Sequence, residues 1–233
     1  GPVSVDDVAA LFDADFLSGG AHDLGHGPTE EVPYFANQER LTFARVGVTD
    51  PLSLSDYEVH EGLKGLKAAL EMSPEEIVET VSESGLRGRG GAGFPTGIKW
   101  KTANAQPDGQ KYICANADEG DSGTFADRML MEGDPFCLIE GMIIGARAIG
   151  AETGYIYIRS EYPHAIKTMR RAIHIMEDAG WLGENIKGNG TTFNLYVRVG
   201  AGAYICGEES SMLESLEGKR GQVKVKPPIP AIS

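Results

Sequence analysis

Residues 111–159 read KYICANADEGDSGTFADRMLMEGDPFCLIEGMIIGARAIGAETGYIYIR, and their pattern predicts a fold class. Two short runs, at 112–117 and 155–159, are predicted as strands, and they flank an apolar segment at 135–150 that is predicted as a helix. The alternation continues with a predicted helix, strand and helix at 163–179, 193–199 and 207–216. Such alternation is typical of βαβ units. We therefore predict an α/β fold with a Rossmann-like parallel sheet and flanking helices.

The N-terminal part of the chain is less regular. Its predicted elements are helices at 4–17 and 56–72 and a strand at 40–48. A clear helix start follows at Ser73-Pro-Glu-Glu, which combines an N-cap, a proline at the first helical position and a capping box. Gly85 is the expected end of that helix. We predict an acidic, mostly helical N-terminal segment over 1–72, followed by a Rossmann-like domain over 73–233 that contains a glycine-rich loop.

Charge and composition exclude several classes of protein. The chain has 233 residues, 41% of them hydrophobic and 24% charged, which is an ordinary globular balance. The net charge is −13, and all of it lies in residues 1–85, where 17 acids face 4 bases. A net anion of this size is a poor general ligand for nucleic acid or for an anionic membrane.

Cysteine content and hydropathy suggest a reducing compartment. The three cysteines form no CxxC pair and are too few for a complete iron–sulfur or zinc-thiolate site. The sequence has no run of 18 apolar residues and no signal-peptide pattern. We expect a cytoplasmic protein without a membrane span, and we interpret the sequence as a fragment of a longer chain.

A glycine-rich loop at 85–97 is the strongest candidate for ligand binding. Its six glycines prevent regular structure and leave backbone amides free, and Arg87, Arg89, Lys99 and Lys101 add positive charge. Free amides with local positive charge are typical of a phosphate-binding loop. The spacing matches a dinucleotide fingerprint, but that motif should follow a strand and open a helix, whereas here a helix is predicted before it and Phe94-Pro95 after it. The alternative is a flexible hinge.

Two further loops follow predicted strands. One is Asn116-Ala-Asp-Glu-Gly-Asp-Ser-Gly-Thr124, and the other is Gly200-Ala-Gly-Ala-Tyr-Ile-Cys-Gly-Glu-Glu-Ser210. Ligands of open α/β sheets bind beyond the carboxyl ends of the strands. Carboxylates there accept hydrogen bonds from ribose hydroxyls or a flavin ring, or they hold a metal. The alternative is that they cap the following helix. Since acids at the start of a helix repel phosphate, we expect the phosphate at the glycine-rich loop and the sugar or ring at the second of these two loops.

A second basic strip follows at 218–226, with Lys219, Arg220, Lys224 and Lys226 and no acid. It is either a site for a second phosphate-bearing ligand or a solvated tail. We find no nucleophile–base spacing, so a hydrolase has little support, and we predict no catalytic side chain and no metal ligand.

Several motifs, taken in order, resemble one family. They are Gly85-Leu-Arg-Gly-Arg-Gly-Gly-Ala-Gly-Phe-Pro-Thr-Gly-Ile-Lys-Trp100, Asn116-Ala-Asp-Glu119, Ile139-Glu-Gly-Met142, Gly200-Ala-Gly-Ala-Tyr-Ile-Cys-Gly-Glu-Glu209, Ser215-Leu-Glu-Gly218 and Lys226-Pro-Pro. This order resembles the NADH-binding FMN flavoprotein subunit of respiratory complex I, the 51-kDa type, and its relatives in NAD-reducing hydrogenases and NAD-dependent formate dehydrogenases. Residues 41–54, 120–128 and 159–164 look most like the beta (diaphorase) subunit of molybdenum- or tungsten-containing formate dehydrogenase.

The resemblance implies FMN and NAD as cofactors, with hydride transfer between them. The matching positions imply contacts to FMN from Gly88, Arg89, Gly90, Lys99, Asn116, Asp118, Glu119, Gly120, Tyr204, Gly207 and Glu208. They imply contacts to NAD from Gly91, Phe94, Glu209 and Lys226, with Tyr204 between the two ligands. The protein then mainly orients and tunes the rings, because the cofactors perform the chemistry.

The family resemblance also implies partners. A [4Fe–4S] cluster is expected in the full-length subunit, although its ligands are absent from this sequence. The expected partners are an iron–sulfur gamma subunit and a molybdenum or tungsten alpha subunit of a formate dehydrogenase. A hydrogenase diaphorase or a complex I flavoprotein is the alternative within the family. Outside it, the alternatives are another nucleotide-binding enzyme, such as a transferase, and a non-catalytic docking module.

Overall fold

A computed structural model describes residues 2–28, 31–107, 109–226 and 230. The two prolines of the last resembling motif, at 227–228, lie outside the described residues. The chain divides into two compact units, Gly1–Ala44 and Arg45–Ser233. Its helices and strands, in chain order, are α1 (Val8–Asp13), α2 (Pro33–Ala36), α3 (Leu54–Val59), α4 (Lys64–Leu70), α5 (Pro74–Glu83), α6 (Thr96–Asn104), β1 (Tyr112–Ala117), α7 (Ala126–Gly133), α8 (Pro135–Ile149), β2 (Thr153–Ile158), α9 (Pro163–Asp178), β3 (Asn194–Val199) and α10 (Glu209–Leu216).

The sheet confirms the predicted fold class. The three strands are parallel in the order β1-β2-β3. Their register aligns Ala117 with Ile158 and Ile158 with Val199, so all three strands end level. The loops that begin at 118, 159 and 200 therefore leave the same edge of the sheet.

The two faces of the sheet differ. Ile156 and Ile158 of β2, both fully buried, point into the main core that α8 and α9 complete. On the other face Tyr157 packs with Cys206 and Met212, so the start of α10 covers the carboxyl end of that face. The alternation of side chains along each strand places these two sets on opposite faces.

The first unit has short helices and an exposed surface. Helix α1 lies between two 3-10 turns, Val5–Asp7 and Phe16–Ser18, where one continuous helix was predicted. Ser4 is the N-cap residue of the first turn, as predicted, but the hydrogen bond there is made by the Asp7 carboxylate, which accepts from the Ser4 amide at 2.8 Å. None of the residues described in this unit is buried.

The predicted strand at 40–48 is wrong. Gly47 has a φ of +79°, and the amides of Val48 and Thr49 both donate to the carbonyl of Arg45, so the chain turns there. The Arg45 guanidinium bonds to the buried Asp134 carboxylate at 2.9 Å. A turn that directs this arginine inward replaces the extended segment.

The predicted helix at 56–72 is interrupted. Helix α3 ends at Val59 and α4 begins at Lys64, and Leu63 between them has a φ of +62°. The cause is Glu140, a buried carboxylate on α8 that accepts from the Leu63 and Leu66 amides at 2.8 Å each and from the Tyr57 hydroxyl at 2.5 Å. This carboxylate caps α4 and ties it to α8. The predicted domain boundary at residue 72 stays a prediction.

The predicted start of α5 is confirmed. The Ser73 amide donates to the Glu76 carboxylate at 2.8 Å, and the Glu76 amide donates to the Ser73 hydroxyl at 3.2 Å, which completes the capping box. Helix α6, which was not predicted, packs against α5 through Gly97, where a Cβ would lie 2.6 Å from the Ser82 Cα. In the described ranges, no helix combines the length and the apolar character that crossing a bilayer requires.

Candidate functional site

The loops after β1 and β3 meet at the common edge of the sheet. The Asn116 side-chain amide donates to the Gly207 carbonyl at 2.8 Å, and its oxygen accepts from the Asp118 amide at 3.2 Å. A Cβ at Gly207 would lie 3.0 Å from the Asp118 carbonyl oxygen, and one at Gly120 would lie 2.7 Å from the Tyr204 ring. Glycine at these two positions therefore permits the close approach of the two loops.

Asp118 provides a free acceptor at this edge. Its Oδ2 atom is buried and has no hydrogen-bond partner among the described residues. Burial raises the pKa of Asp118, the Arg159 cation lowers it, and Glu161 raises it. A buried carboxylate oxygen with unused acceptor capacity suits a ligand that carries N–H or O–H donors.

Glu119, by contrast, is occupied by the protein. Its carboxylate accepts from the Asp127 amide at 3.0 Å, the Arg128 amide at 3.2 Å and the Tyr162 hydroxyl at 3.1 Å. It therefore satisfies the free amides at the start of α7, which is the capping alternative considered for this loop.

The glycine-rich loop closes on itself. Arg87 and Pro95 form an antiparallel bridge, the Gly88 amide donates to the Phe94 carbonyl at 2.9 Å, and the Arg87 guanidinium donates to the Gly93 carbonyl at 2.9 Å. Its tip is open, since a Cβ at Gly90 or at Gly91 would meet nothing within 4 Å.

The sequence context predicted for this loop is half wrong. A helix, α5, does precede it, but α6 opens directly after it, with Pro95 as its N-cap. The dinucleotide fingerprint should open a helix, and in the sequence alone Phe94-Pro95 after the loop is evidence against such a helix. Because proline is well tolerated at a helix start, the pair instead leads into α6.

Charged side chains from three parts of the chain meet at the start of α10. Lys226 bonds to Glu208 at 3.0 Å and also to Glu209, and Lys99 of α6 lies 3.6 Å from the Glu209 carboxylate. The Glu208 carboxylate also accepts from the amides of Ser210 and Ser211.

Both glutamates are held in the ionised form. Burial raises the pKa of Glu208, but hydrogen bonds from the Ser210 side chain, Lys226 and the Ser211 amide outweigh it and lower the pKa to about 2. The hydrogen bond from Lys226 lowers the pKa of Glu209, and the Lys99 charge lowers it further. The acids thus remain acceptors over the neutral pH range, and the lysines offset their charge.

The second basic strip is largely paired. Lys219 bonds to Glu217, Lys224 to Glu214 and Lys226 to the two glutamates above. Acids in and directly after α10 therefore balance this strip, which favours the interpretation as a solvated tail over that of a second phosphate site.

Described contacts join nine of the predicted site residues: Lys99, Asn116, Asp118, Gly120, Tyr204, Gly207, Glu208, Glu209 and Lys226. The described contacts of Gly88 lie within the glycine-rich loop, and those of Glu119 are with α7 and the loop after β2. The remaining four predicted site residues lie in the glycine-rich loop: Arg89, Gly90, Gly91 and Phe94. Phe94 is 49% exposed.

Arg159 is a residue of this edge that the sequence reasoning did not select. It directly follows β2, and its guanidinium donates to the Glu119 carbonyl. Arg159 is the last residue of the predicted second strand, so the sequence places it at the carboxyl edge of the sheet, but its contact with Glu119 depends on the register of β1 and β2.

Comparison with known proteins identifies relatives of the chain. The family model described as the Nuo51 FMN-binding domain matches residues 81–232. One subunit of an NADH-quinone oxidoreductase of Rhizobium meliloti is 54% identical over 196 residues, which are 84% of this chain and 47% of that protein. The HndC subunit of the NADP-reducing hydrogenase of Solidesulfovibrio fructosivorans is 51% identical over 84% of this chain and 40% of its own length.

Solved structures agree with the sequence relatives. A crystal structure of NAD+-reducing [NiFe]-hydrogenase in the air-oxidised state matches with a TM-score of 0.64 and 33% identity, covering 98% of this chain and 36% of that one. The chain spans less than half the length of the relatives named here.

Proposed function

Because the chain belongs to the Nuo51 FMN-binding domain family, we propose that it binds FMN and NAD(H) and is the place where hydride passes between them. One observation carries the proposal. The family match at 81–232 includes every residue of the predicted flavin and nucleotide set, from Gly88 to Lys226. Two features within that match support the proposal, the glycine-rich loop and the unpaired carboxylate oxygen of Asp118.

The residues of the site fit FMN. Asp118 offers a buried acceptor without a partner in the described chain, and a flavin with its ribityl chain carries N–H and O–H donors. The open tip at Gly90 and Gly91, with Arg89 and Lys99 nearby in sequence, suits a phosphate. When bound, FMN supplies the ring that exchanges hydride with a nicotinamide and electrons with a one-electron acceptor.

The remaining predicted residues would hold NAD(H). Glu209 offers an ionised acceptor for ribose hydroxyls, and Lys226 orients that carboxylate through its ion pair with it. Tyr204 is 72% exposed beside Gly120, so its ring is available for stacking on a planar ligand. In this proposal the side chains orient the two ligands and exclude water, and none of them transfers a proton.

We propose further that the chain is the diaphorase module of an NAD-dependent formate dehydrogenase. The motifs at 41–54, 120–128 and 159–164 support this assignment. Its partners would be an iron–sulfur gamma subunit and a molybdenum or tungsten alpha subunit in the cytoplasm, with a [4Fe–4S] cluster in the longer protein. The alternative is a complex I or a hydrogenase type of assembly, which the relatives named above support. Because one of them belongs to an NADP-reducing hydrogenase, NADP is an alternative to NAD as the nucleotide.

Visible spectroscopy under anaerobic conditions tests the proposal. FMN is titrated into the chain, and the dissociation constant is obtained from the quenching of flavin fluorescence. NADH is then added, and bleaching of the bound flavin is expected. Gly90→Val is the matched variant, since a side chain there meets nothing in the protein but fills the surface offered to the ligand. A chain, and a longer protein containing it, that bind no FMN would refute the proposal.

The assembly is tested separately in the complex purified with its native partners. Reduction of the bound flavin by formate supports the formate dehydrogenase assignment. Reduction by hydrogen supports the hydrogenase alternative.

A further inference from the structure

Arg159 connects the loops at the ligand edge of the sheet. One end of its guanidinium donates to the backbone carbonyl of Glu119, and the other bonds to the Glu161 carboxylate at 3.2 Å. The group also lies over the Tyr162 ring, 5.2 Å from the centroid. Because Glu119 sits between Asp118 and Gly120, this arginine holds the first residues of the loop after β1.

Arg159 also has unused hydrogen-bonding capacity. Its Nε atom is buried and has no hydrogen-bond partner among the described residues. The side chain as a whole is 21% exposed, so the rest of the group is also largely shielded from water. The orphaned Asp118 Oδ2 lies on the neighbouring strand's loop. A buried donor and a buried acceptor, both unsatisfied, therefore come from adjacent strand ends at the same edge.

We propose that Arg159 is a positioning residue of the flavin site, which holds residues 118–120 in the conformation described here and thereby determines the affinity for FMN. This inference rests on the proposed function. Arginine suits the role because its planar, five-donor fork can hold a carbonyl, a carboxylate and an aromatic face at once. Lysine, with a single ammonium group, cannot hold all three.

The charge of Arg159 adds a signature that depends on pH. The charged or titratable groups that act on Asp118 are Arg159 and Glu161 from the loop after β2, and Tyr157 from β2 itself. Burial raises the pKa of Asp118, and the arginine opposes this. Removing the cation raises that pKa further. As the pH is lowered, Asp118 then becomes protonated, and stops accepting hydrogen bonds, at a higher pH than in the native chain. Affinity for FMN should then begin to fall at a higher pH than in the native chain.

The test measures the dissociation constant of FMN by fluorescence quenching from pH 5 to pH 8 in the native chain, Arg159→Met and Arg159→Lys. Loss of a hydrogen bond from a charged group weakens binding by roughly tenfold or more, which is expected for Arg159→Met at pH 8. As the pH is lowered, the affinity of Arg159→Met for FMN should begin to fall at a higher pH than that of the native chain. Arg159→Lys should bind with intermediate affinity and keep the native pH midpoint. The phosphate of FMN titrates alike in every sample, so differences between variants report on the protein.

Arg128→Met is the matched control. Arg128 lies over the same Tyr162 ring, 5.5 Å from the centroid, and pairs with Glu132. Within the described part of the chain, its side chain makes no hydrogen bond to the loop after β1. It should leave the affinity and the pH midpoint unchanged. A loss as large as that of Arg159→Met would assign the effect to packing around Tyr162 and overturn the inference.

Other outcomes are equally decisive. Native affinity and a native pH profile in Arg159→Met would overturn the inference and leave the proposed function intact. Should Arg159→Met fail to fold by circular dichroism, Arg159→Lys decides, and native affinity in that variant would refute a positioning role. If neither the native chain nor a longer protein that contains it binds FMN, the proposed function is refuted, and this inference with it.

Discussion

Gly97→Ala should destabilise the chain and weaken its ligand site. An added Cβ would lie 2.3 Å from the Ser82 hydroxyl oxygen and 2.6 Å from the Ser82 Cα. The hydroxyl already donates to the Val78 carbonyl at 2.7 Å, and the Cα belongs to the backbone of α5, so neither can move alone. Helices α5 and α6 must separate.

The size of the effect follows from two opposing terms. Overpacking of a core contact costs typically about 1–3 kcal/mol, and a backbone clash belongs at the upper end. Replacing glycine by alanine in a helix returns at most about 1 kcal/mol. The net loss is therefore about 2 kcal/mol, which lowers the melting temperature by roughly 4–8 °C in a chain of this size.

Chemical denaturation and a thermal melt measure this loss, and Gly141→Ala is the control. Gly141 is exposed on α8, and a Cβ there meets nothing within 4 Å, so the same substitution should stabilise by up to about 1 kcal/mol. Because α6 begins at the end of the glycine-rich loop and carries Lys99, the affinity for FMN should fall in Gly97→Ala and stay constant in Gly141→Ala. Equal stability of the two variants would refute the reasoning.

Three further predictions follow. Glu140→Ala leaves two backbone amides without their acceptor at about 1–3 kcal/mol each, so urea unfolding should show a loss of about 3 kcal/mol, and a loss below 1 kcal/mol would contradict the capping role. Glu209→Ala should weaken NADH binding more than FMN binding, whereas Gly90→Val should cost FMN itself; titrations that show equal losses in both variants would contradict this division. The pKa of Glu208 lies below its ordinary value, so its stabilising effect is present above the unfolded pKa of about 4.5 and is lost as the pH falls toward 2. Lys226→Met should therefore reduce the change in melting temperature between pH 5 and pH 2. An unaltered change would disprove the pairing.

The sheet could be predicted because its signals are local. β2 (TGYIYI) and β3 (NLYVRV) are short runs rich in aromatic and β-branched residues, and α8 and α9 each begin at a proline. The break before α4 could not be predicted, because it depends on a hydrogen bond between Leu63 and Glu140, which are 77 positions apart. No local pattern carries that information.

The candidate site shows the same division. The glycine-rich loop and the residues after β1 and β3 could be predicted from motifs. Whether an acid in those loops faces a ligand or a helix could not, since Glu119 is used by α7 while the adjacent Asp118 is not. Arg159 was missed because its neighbours become visible only once the register of β1 and β2 is known.

The order of the strands in the sheet is also their order along the chain, and this has a consequence for biosynthesis. Each strand can pair with the preceding one as soon as it leaves the ribosome, without waiting for a later segment to insert between them. The charged cluster at the start of α10 is completed last, because Lys226 emerges long after Asp118, roughly 5–20 s later at ordinary rates of translation. The strands of the nascent sheet are therefore all available for pairing before the residues of its ligand edge are complete.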